Sequence, residues 1–226
     1  MDYMIYGMVL LAALLVFLPK VSKITQYIST LFHEVGHVIA SFVTGGGASS
    51  IHIRMDTSGV AGTSHKVGVG GLFSRTVTLL SGYATPVNYG AVLIGLSFTP
   101  WVDVGIGIII AFSVIALLLI RNLFGFLVTS SFLALLGLLI FLPIPVTHAQ
   151  IVLFFGSLVF LNGVRDVIKI APHVAKSRVR EEEMSDFHIL ASTSLFPPLG
   201  WFIIFCIGEV GFFGAIIFGA TVLYGR

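Results

Sequence analysis

The chain has 226 residues, of which 57% are hydrophobic and only 10% are charged, and its formal net charge is +2. This composition excludes a water-soluble domain built around one apolar core. It is typical of an integral membrane protein that crosses the bilayer several times, and no nucleic-acid partner is predicted.

Apolar segments long enough to cross or nearly cross the hydrocarbon layer recur along the chain, since a helical span needs about 20 residues. The third segment is interrupted by Gly82, Pro86, Asn88 and Gly90, which a membrane helix tolerates where protein or a water-filled cavity satisfies the freed backbone groups. We predict an all-α polytopic membrane protein that forms a single domain over residues 1–226. About seven transmembrane helices are expected, at residues 3–19, 25–43, 76–97, 101–120, 123–143, 149–170 and 199–223.

The second apolar segment contains the sequence His33-Glu34-Val35-Gly36-His37, although ionisable side chains are costly there and are seldom kept without a task. On a helix the two histidines are four residues apart and share one face, so both imidazoles can bind one metal ion while Glu34 projects beside them as a general base. The alternative is a pair of core histidines satisfied by neighbouring groups, which would cost several kcal/mol in hydrocarbon without a metal or partners. The motif therefore predicts a zinc site inside the membrane.

A catalytic zinc ion takes three protein ligands and leaves one position for water. The single cysteine, Cys206, cannot form a thiolate cluster, so the third ligand is expected to be a carboxylate. We predict Asp166, near the end of the sixth apolar segment, with Asp186 as the second candidate. The alternatives are that Asp166 pairs with Arg165 or Lys169 at a helix end, and that Asp186 belongs to a helix N-cap.

Three further polar residues lie in the apolar segments. Asn88 and Asn162 could donate amide hydrogen bonds to the oxyanion of a tetrahedral intermediate or to a substrate backbone, or could bond a neighbouring helix. Glu209 could pair with an arginine, face the site or line a polar path. We predict substrate-binding roles for the two asparagines and leave the role of Glu209 open.

A polar stretch follows the motif and begins with Gly45-Gly46-Gly47, which ends the helix. Residues 51–55 then alternate apolar and polar before a turn at residues 56–59, which predicts a β-hairpin. Because a substrate helix must unwind before water can reach a peptide bond, the strand edge at Ile53 could hold the extended substrate by β-augmentation. A structural cover over the site is the alternative.

An HExxH sequence with Gly before its second His, in a membrane helix followed by a glycine-rich stop and a hairpin, resembles the site-2 protease family of intramembrane zinc metalloproteases. The small, peptidase-like membrane branch is the most similar, with matching segments at Ser81-Gly82-Tyr83 and Ser185-Asp186-Phe187. The resemblance implies that Zn²⁺ is the cofactor, with His33 and His37 as ligands. It also implies that Glu34 takes a proton from a water at the metal and returns it to the leaving amine.

The predicted function is that of an intramembrane zinc metalloendopeptidase, which hydrolyses peptide bonds in or near membrane-spanning segments of other proteins. Its predicted partners are a membrane protein or peptide substrate and the lipid bilayer, and its predicted location is the plasma membrane of a prokaryote. Two alternatives stay open. One is a non-proteolytic membrane protein that uses the metal site for structure, sensing or ion passage, and the other is a degenerate family member that binds clients without cutting them.

Overall fold

The computed structural model describes residues 2–65, 69–143, 145–176, 179–180 and 184–224. The chain divides into two compact units, Met1–Asp166 and Val167–Arg226. The elements within the described ranges are mostly helical. In chain order they are α1 (Asp2–Phe17), α2 (Ser22–Val43), β1 (Gly47–Ile53), β2 (Gly59–Ser64), α3 (Val69–Ser97), α4 (Val102–Leu119), α5 (Leu123–Phe141), α6 (His148–Val174), α7 (Asp186–Ala191) and α8 (Pro198–Tyr224).

Four of the seven predicted spans coincide with helices that are long and apolar enough to cross a membrane. These helices are α4, α5, α6 and the part of α8 over Pro198–Ala215. The prediction of a polytopic, mainly helical membrane fold is thus confirmed. The count of seven spans is not.

The first three predicted spans differ from the observed structure. Tyr6–Phe17 and Ser22–Val43 qualify only as a pair that bends by 99°, which describes a broken span or a re-entrant loop. The break contains Pro19, which has no backbone N–H to donate, and Lys20, which is charged. Both residues disfavour a continuous helix in hydrocarbon. The third predicted span is helical as part of α3, but α3 is not among the candidate spans in the described part of the chain.

The core of the first unit is built around the apolar side of α2. Phe32 and Val35 are fully buried, and the ring of Phe32 stacks on that of Phe112 from α4, with centroids 4.9 Å apart and planes inclined by 17°. Between membrane helices, such packing supplies much of the association energy, because lipid is as apolar as the side chains. Helix α2 is therefore held on several sides, which suits an element that carries functional groups.

The predicted β-hairpin is confirmed. Strands β1 and β2 pair antiparallel, with Ile53 opposite Gly59, and a turn joins them over residues 54–58. The other edge of β1 is covered by the connection between α4 and α5: Ile51 forms a parallel bridge with Ile120, and the N–H of Arg121 donates to the carbonyl of Ile51 at 3.0 Å. This connection leaves β2 as the outer strand of the sheet.

In the second unit, α7 packs on α8 through aromatic side chains. The ring of Phe187 is fully buried and lies edge-on to Phe202 and Phe205, with centroid distances of 5.4 and 5.7 Å. Edge-to-face contacts of this kind are favourable beyond the area that they bury. They fix the short helix α7, which begins at Asp186.

Candidate active site

Two imidazoles of α2 converge on one point. The Nε2 atoms of His33 and His37 lie 3.1 Å apart, with the rings inclined by 85° and their centroids separated by 4.7 Å. This geometry follows from the spacing, because residues four apart lie above each other on one helical face. Two Nε2 atoms at this separation can serve as neighbouring ligands of one cation, as the HExxH motif predicts.

The tautomer of His37 is fixed by a backbone group of α3. Its Nδ1 lies 2.7 Å from the carbonyl oxygen of Thr78, which can only accept, so Nδ1 carries the proton and Nε2 presents a lone pair. Metal-bound histidines commonly donate their second ring nitrogen to such a partner, which orients the ring and raises its basicity. Sequence reasoning missed Thr78, because the group that acts is a main-chain carbonyl, which every residue has.

The space in front of the two Nε2 atoms is left open by a glycine. A β-carbon at Gly82 would stand 2.5 Å from Nε2 of His37 and 2.7 Å from Nε2 of His33. Any other residue would thus fill the place toward which both nitrogens are directed. The open cradle and the nitrogen donors fit a zinc ion.

A third ligand would have to join the two imidazoles of α2, and Asp166 and Asp186 are the carboxylates that the sequence predicts for this position. Two imidazoles and one carboxylate form a donor set that zinc takes in catalytic sites.

The predicted ligand Asp166 contacts Ser29 and its neighbour Arg165. Its Oδ2 accepts a hydrogen bond from the hydroxyl of Ser29 at 3.4 Å, and its Oδ1 lies 3.9 Å from Nε of Arg165. Arg165 in turn donates from Nη1 to the carbonyl of Val16, near the end of α1, at 2.6 Å. The pairing of Asp166 with its neighbour Arg165 was the alternative that the sequence left open.

Asp186 is the first helical residue of α7, and the N-cap is Ser185. The hydroxyl of Ser185 lies 2.8 Å from Nδ1 of His188, and Nε2 of His188 lies 3.1 Å from the carbonyl of Lys176. Because the carbonyl can only accept, His188 carries its proton on Nε2 and accepts the hydroxyl hydrogen at Nδ1. These two bonds fix the segment that presents Asp186.

The residues predicted to bind substrate occupy different surroundings. Asn162 is fully buried in α6, where its amide donates to the carbonyl of Leu158 at 2.9 Å, whereas Asn88 is half-buried in α3. Ile53 is fully buried, and the side-chain amide of Asn122 bonds both its N–H, at 3.2 Å, and its carbonyl, at 2.7 Å. The backbone of Ile53 is thus already paired, which sequence reasoning missed.

Glu34 follows His33 directly on α2 and is 3% exposed. Its carboxylate meets the backbone of Gly59 at the start of β2, so the hairpin covers the side of α2 that carries Glu34. A buried carboxylate beside two convergent imidazoles is the arrangement that a base for water activation requires.

The fold and the site define a helical integral membrane protein with an HExxH centre. A family model described as Peptidase M50B-like matches residues 6–216, and the chain belongs to this family. The match confirms the predicted membership of the site-2 protease family. No curated protein matches the chain, and no solved structure matches it.

Proposed function

We propose that this protein is a zinc-dependent intramembrane endopeptidase, which hydrolyses peptide bonds in or near membrane-spanning segments of other proteins. The observation that carries the proposal is the 3.1 Å approach of the Nε2 atoms of His33 and His37 at the open cradle of Gly82. Membership of a membrane peptidase family supports the same reaction class. The plasma membrane of a prokaryote is its proposed location.

The proposed chemistry divides between the ion and the protein. When bound, zinc supplies Lewis acidity, which lowers the pKa of a coordinated water and polarises a carbonyl. Glu34 accepts the proton of the attacking water at its carboxylate and returns it to the departing amine nitrogen. His37 keeps its orientation through the bond from Nδ1 to the carbonyl of Thr78.

For the third ligand we propose Asp186 in place of Asp166. The carboxylate of Asp166 interacts with Ser29 and Arg165, whereas Asp186 begins α7 in a segment that the two bonds of His188 hold. Zinc content of purified Asp186→Asn and Asp166→Asn variants decides between them. We expect zinc loss in the first variant only. Loss in the second variant only would restore Asp166, and loss in neither would refute both assignments.

For substrate binding we propose the outer edge of β2 in place of the edge at Ile53. The edge of β1 is occupied by Ile120–Asn122, whereas β2 makes, within the described part of the chain, no strand pairing other than that with β1. An extended peptide added along β2 would run past Gly59 and hence past Glu34. Pairing by backbone bonds would also satisfy the amides that an unwound substrate exposes in lipid.

The test of the proposed function uses fluorescently labelled transmembrane peptides in liposomes that contain the purified protein. We expect cleavage by the wild type and none by Glu34→Gln, with equal zinc content in both, because the amide cannot accept a proton. Cleavage by the variant would refute the role of Glu34. Bound zinc without cleavage of any peptide, together with zinc-dependent ion flux, would favour the non-proteolytic alternative, and absence of zinc would favour a degenerate member.

A further inference from the structure

The turn of the hairpin is fastened to α2 by two side-chain hydroxyls. Tyr27 donates its hydroxyl to the carbonyl oxygen of Met55 at 2.7 Å, and Thr30 donates to that of Thr57, also at 2.7 Å. Tyr27 precedes Thr30 by three residues and Thr30 precedes Glu34 by four, so all three share one side of the helix. The side that carries the proposed base therefore also holds the turn. We call Tyr27 and Thr30 the hydroxyl clasp.

The turn is also held by bonds within itself. Asp56 accepts hydrogen bonds from the hydroxyl of Ser58 at 2.6 Å and from its backbone N–H at 3.0 Å, and these bonds keep the pKa of Asp56 below its ordinary value. Thr57 has a φ of 73°, in the left-handed region that β-branched residues rarely adopt. Such a conformation persists where surrounding contacts impose it, and the bond from Thr30 to the carbonyl of Thr57 is one such contact.

Directly after the turn, Gly59 brings the backbone of β2 against Glu34. A β-carbon at Gly59 would stand 2.7 Å from Cγ and 2.8 Å from Cδ of Glu34. The nearest neighbour would be Oε1 of the same carboxylate, so the new methyl would meet the carboxylate and the carbons that set its direction. Since Glu34 is buried, the backbone of Gly59 forms one wall of the space in which the carboxylate lies.

We propose that Thr30 and Gly59 are positioning residues for the proton transfer by Glu34. The hydroxyl clasp sets the turn on α2, and Gly59 then restricts the orientations open to the carboxylate. This inference rests on the proposed function, since it takes Glu34 as the base. A misplaced base costs rate even when every ligand of the metal is intact, because proton transfer depends on the distance and alignment of the two atoms.

The first test measures stability and needs no activity. Gly59→Ala is made in the wild type and in Glu34→Ala, whose shorter side chain vacates the space that the new methyl needs. We expect a Tm loss of roughly 5 °C in the wild type and of less than about 1 °C in the second background. Gly62→Ala is the matched control, because a β-carbon there would stand less than 3 Å from the hydroxyls of Ser49 and Ser50 and would not meet Glu34 among its nearest neighbours. Equal losses for Gly59→Ala in both backgrounds would overturn the proposal.

The second test separates kcat from KM with the labelled transmembrane peptides in liposomes. Thr30→Val removes the donor and keeps the shape, so we expect kcat to fall about tenfold with KM and zinc content unchanged. Thr30→Ser should restore kcat. The control is Thr25→Val on the same helix, because the hydroxyl of Thr25 donates to the carbonyl of Ser22 within α2, and kcat should not change.

Wild-type kcat in Thr30→Val, or a change confined to KM, would overturn the role of Thr30. If the Tm loss from Gly59→Ala depends on Glu34 but the wild type cleaves no peptide, the proposed function is refuted. If the wild type cleaves peptides but the Tm loss from Gly59→Ala is the same with and without Glu34, only the positioning role of Gly59 is refuted.

Discussion

The backbone of Gly82 lies against the ring of His37, so closely that a β-carbon at Gly82 would stand 2.5 Å from Nε2 of His37. Helix α3 thus contributes to the centre twice, through this open space and through the carbonyl of Thr78 that orients the same ring. One helix supplies the imidazoles, and the next supplies their orientation and the room for an ion. Substitutions in α3 therefore test the candidate metal site as directly as substitutions in the motif do.

Gly82→Ala is expected to reduce zinc content at least tenfold, because the methyl would occupy the space of the ion beside both Nε2 atoms. The measurement is zinc per chain in the purified protein. Gly95→Ala is the control on the same helix, since no atom of the described residues beyond the helix's own backbone lies within 4 Å of a β-carbon placed there, and its zinc content should equal that of the wild type. Full zinc occupancy in Gly82→Ala would contradict the assigned cradle.

Thr78→Val should leave zinc content unchanged and should stabilise the protein by up to about 1 kcal/mol. The Thr78 hydroxyl is buried and has no hydrogen-bond partner in the part of the chain that the structure describes, whereas the backbone carbonyl that orients His37 survives the substitution. Thermal unfolding and metal analysis check both statements. A loss of zinc would show that the hydroxyl, and not the carbonyl, supports the centre.

Asn122→Ala is expected to destabilise the protein by about 2 kcal/mol. The substitution leaves the N–H and carbonyl of the buried Ile53 without the two bonds that the Asn122 amide now makes. Thermal unfolding measures the loss. Gln150→Ala is the matched amide control, because Gln150 accepts the N–H of Thr147 at an exposed helix start, and it should cost well under about 1 kcal/mol. Equal costs for both variants would show that the edge of β1 does not depend on Asn122.

His65 should make stability fall with acidification. Burial, and secondly repulsion by Arg75, hold the pKa of His65 below its ordinary value. A histidine with a lowered folded pKa contributes stability that is complete above its unfolded pKa of about 6.5 and is lost as the pH falls through that value toward the folded one. His65→Gln should therefore lose less Tm than the wild type between pH 7.5 and 5.5.

The comparison of His65→Gln with the wild type is made with chelator present in both samples, so that metal release does not contribute. An equal or larger loss of Tm in the variant would contradict the prediction.

Local sequence patterns predicted the parts of the fold that are determined by local physics. The spacing of His33 and His37 placed both imidazoles on one face, and the turn at residues 56–59 placed the hairpin. Hydropathy placed α4, α5, α6 and α8, because each is a continuous apolar run. It could not reveal the 99° bend between α1 and α2, since a bent pair and two spans have the same apolar composition.

The rest of the site depends on contacts between distant parts of the chain. Asp166 and Asp186 are both acids near apolar segments, and no local pattern shows that Asp166 contacts Ser29. Likewise, the alternation at residues 51–55 predicted a strand at Ile53, but pairing of its edge by Asn122 depends on a connection about 70 residues further along. Backbone groups such as the carbonyl of Thr78 carry no signal at all.

The most direct test is zinc X-ray absorption spectroscopy on the purified wild-type protein in liposomes. We expect one zinc ion per chain, with two imidazole nitrogens at about 2.0–2.1 Å and oxygen ligands completing the shell. Replacement of His33 and His37 by Gln should abolish the signal. A protein without zinc, or an unchanged spectrum after both replacements, would show that His33 and His37 hold no zinc ion.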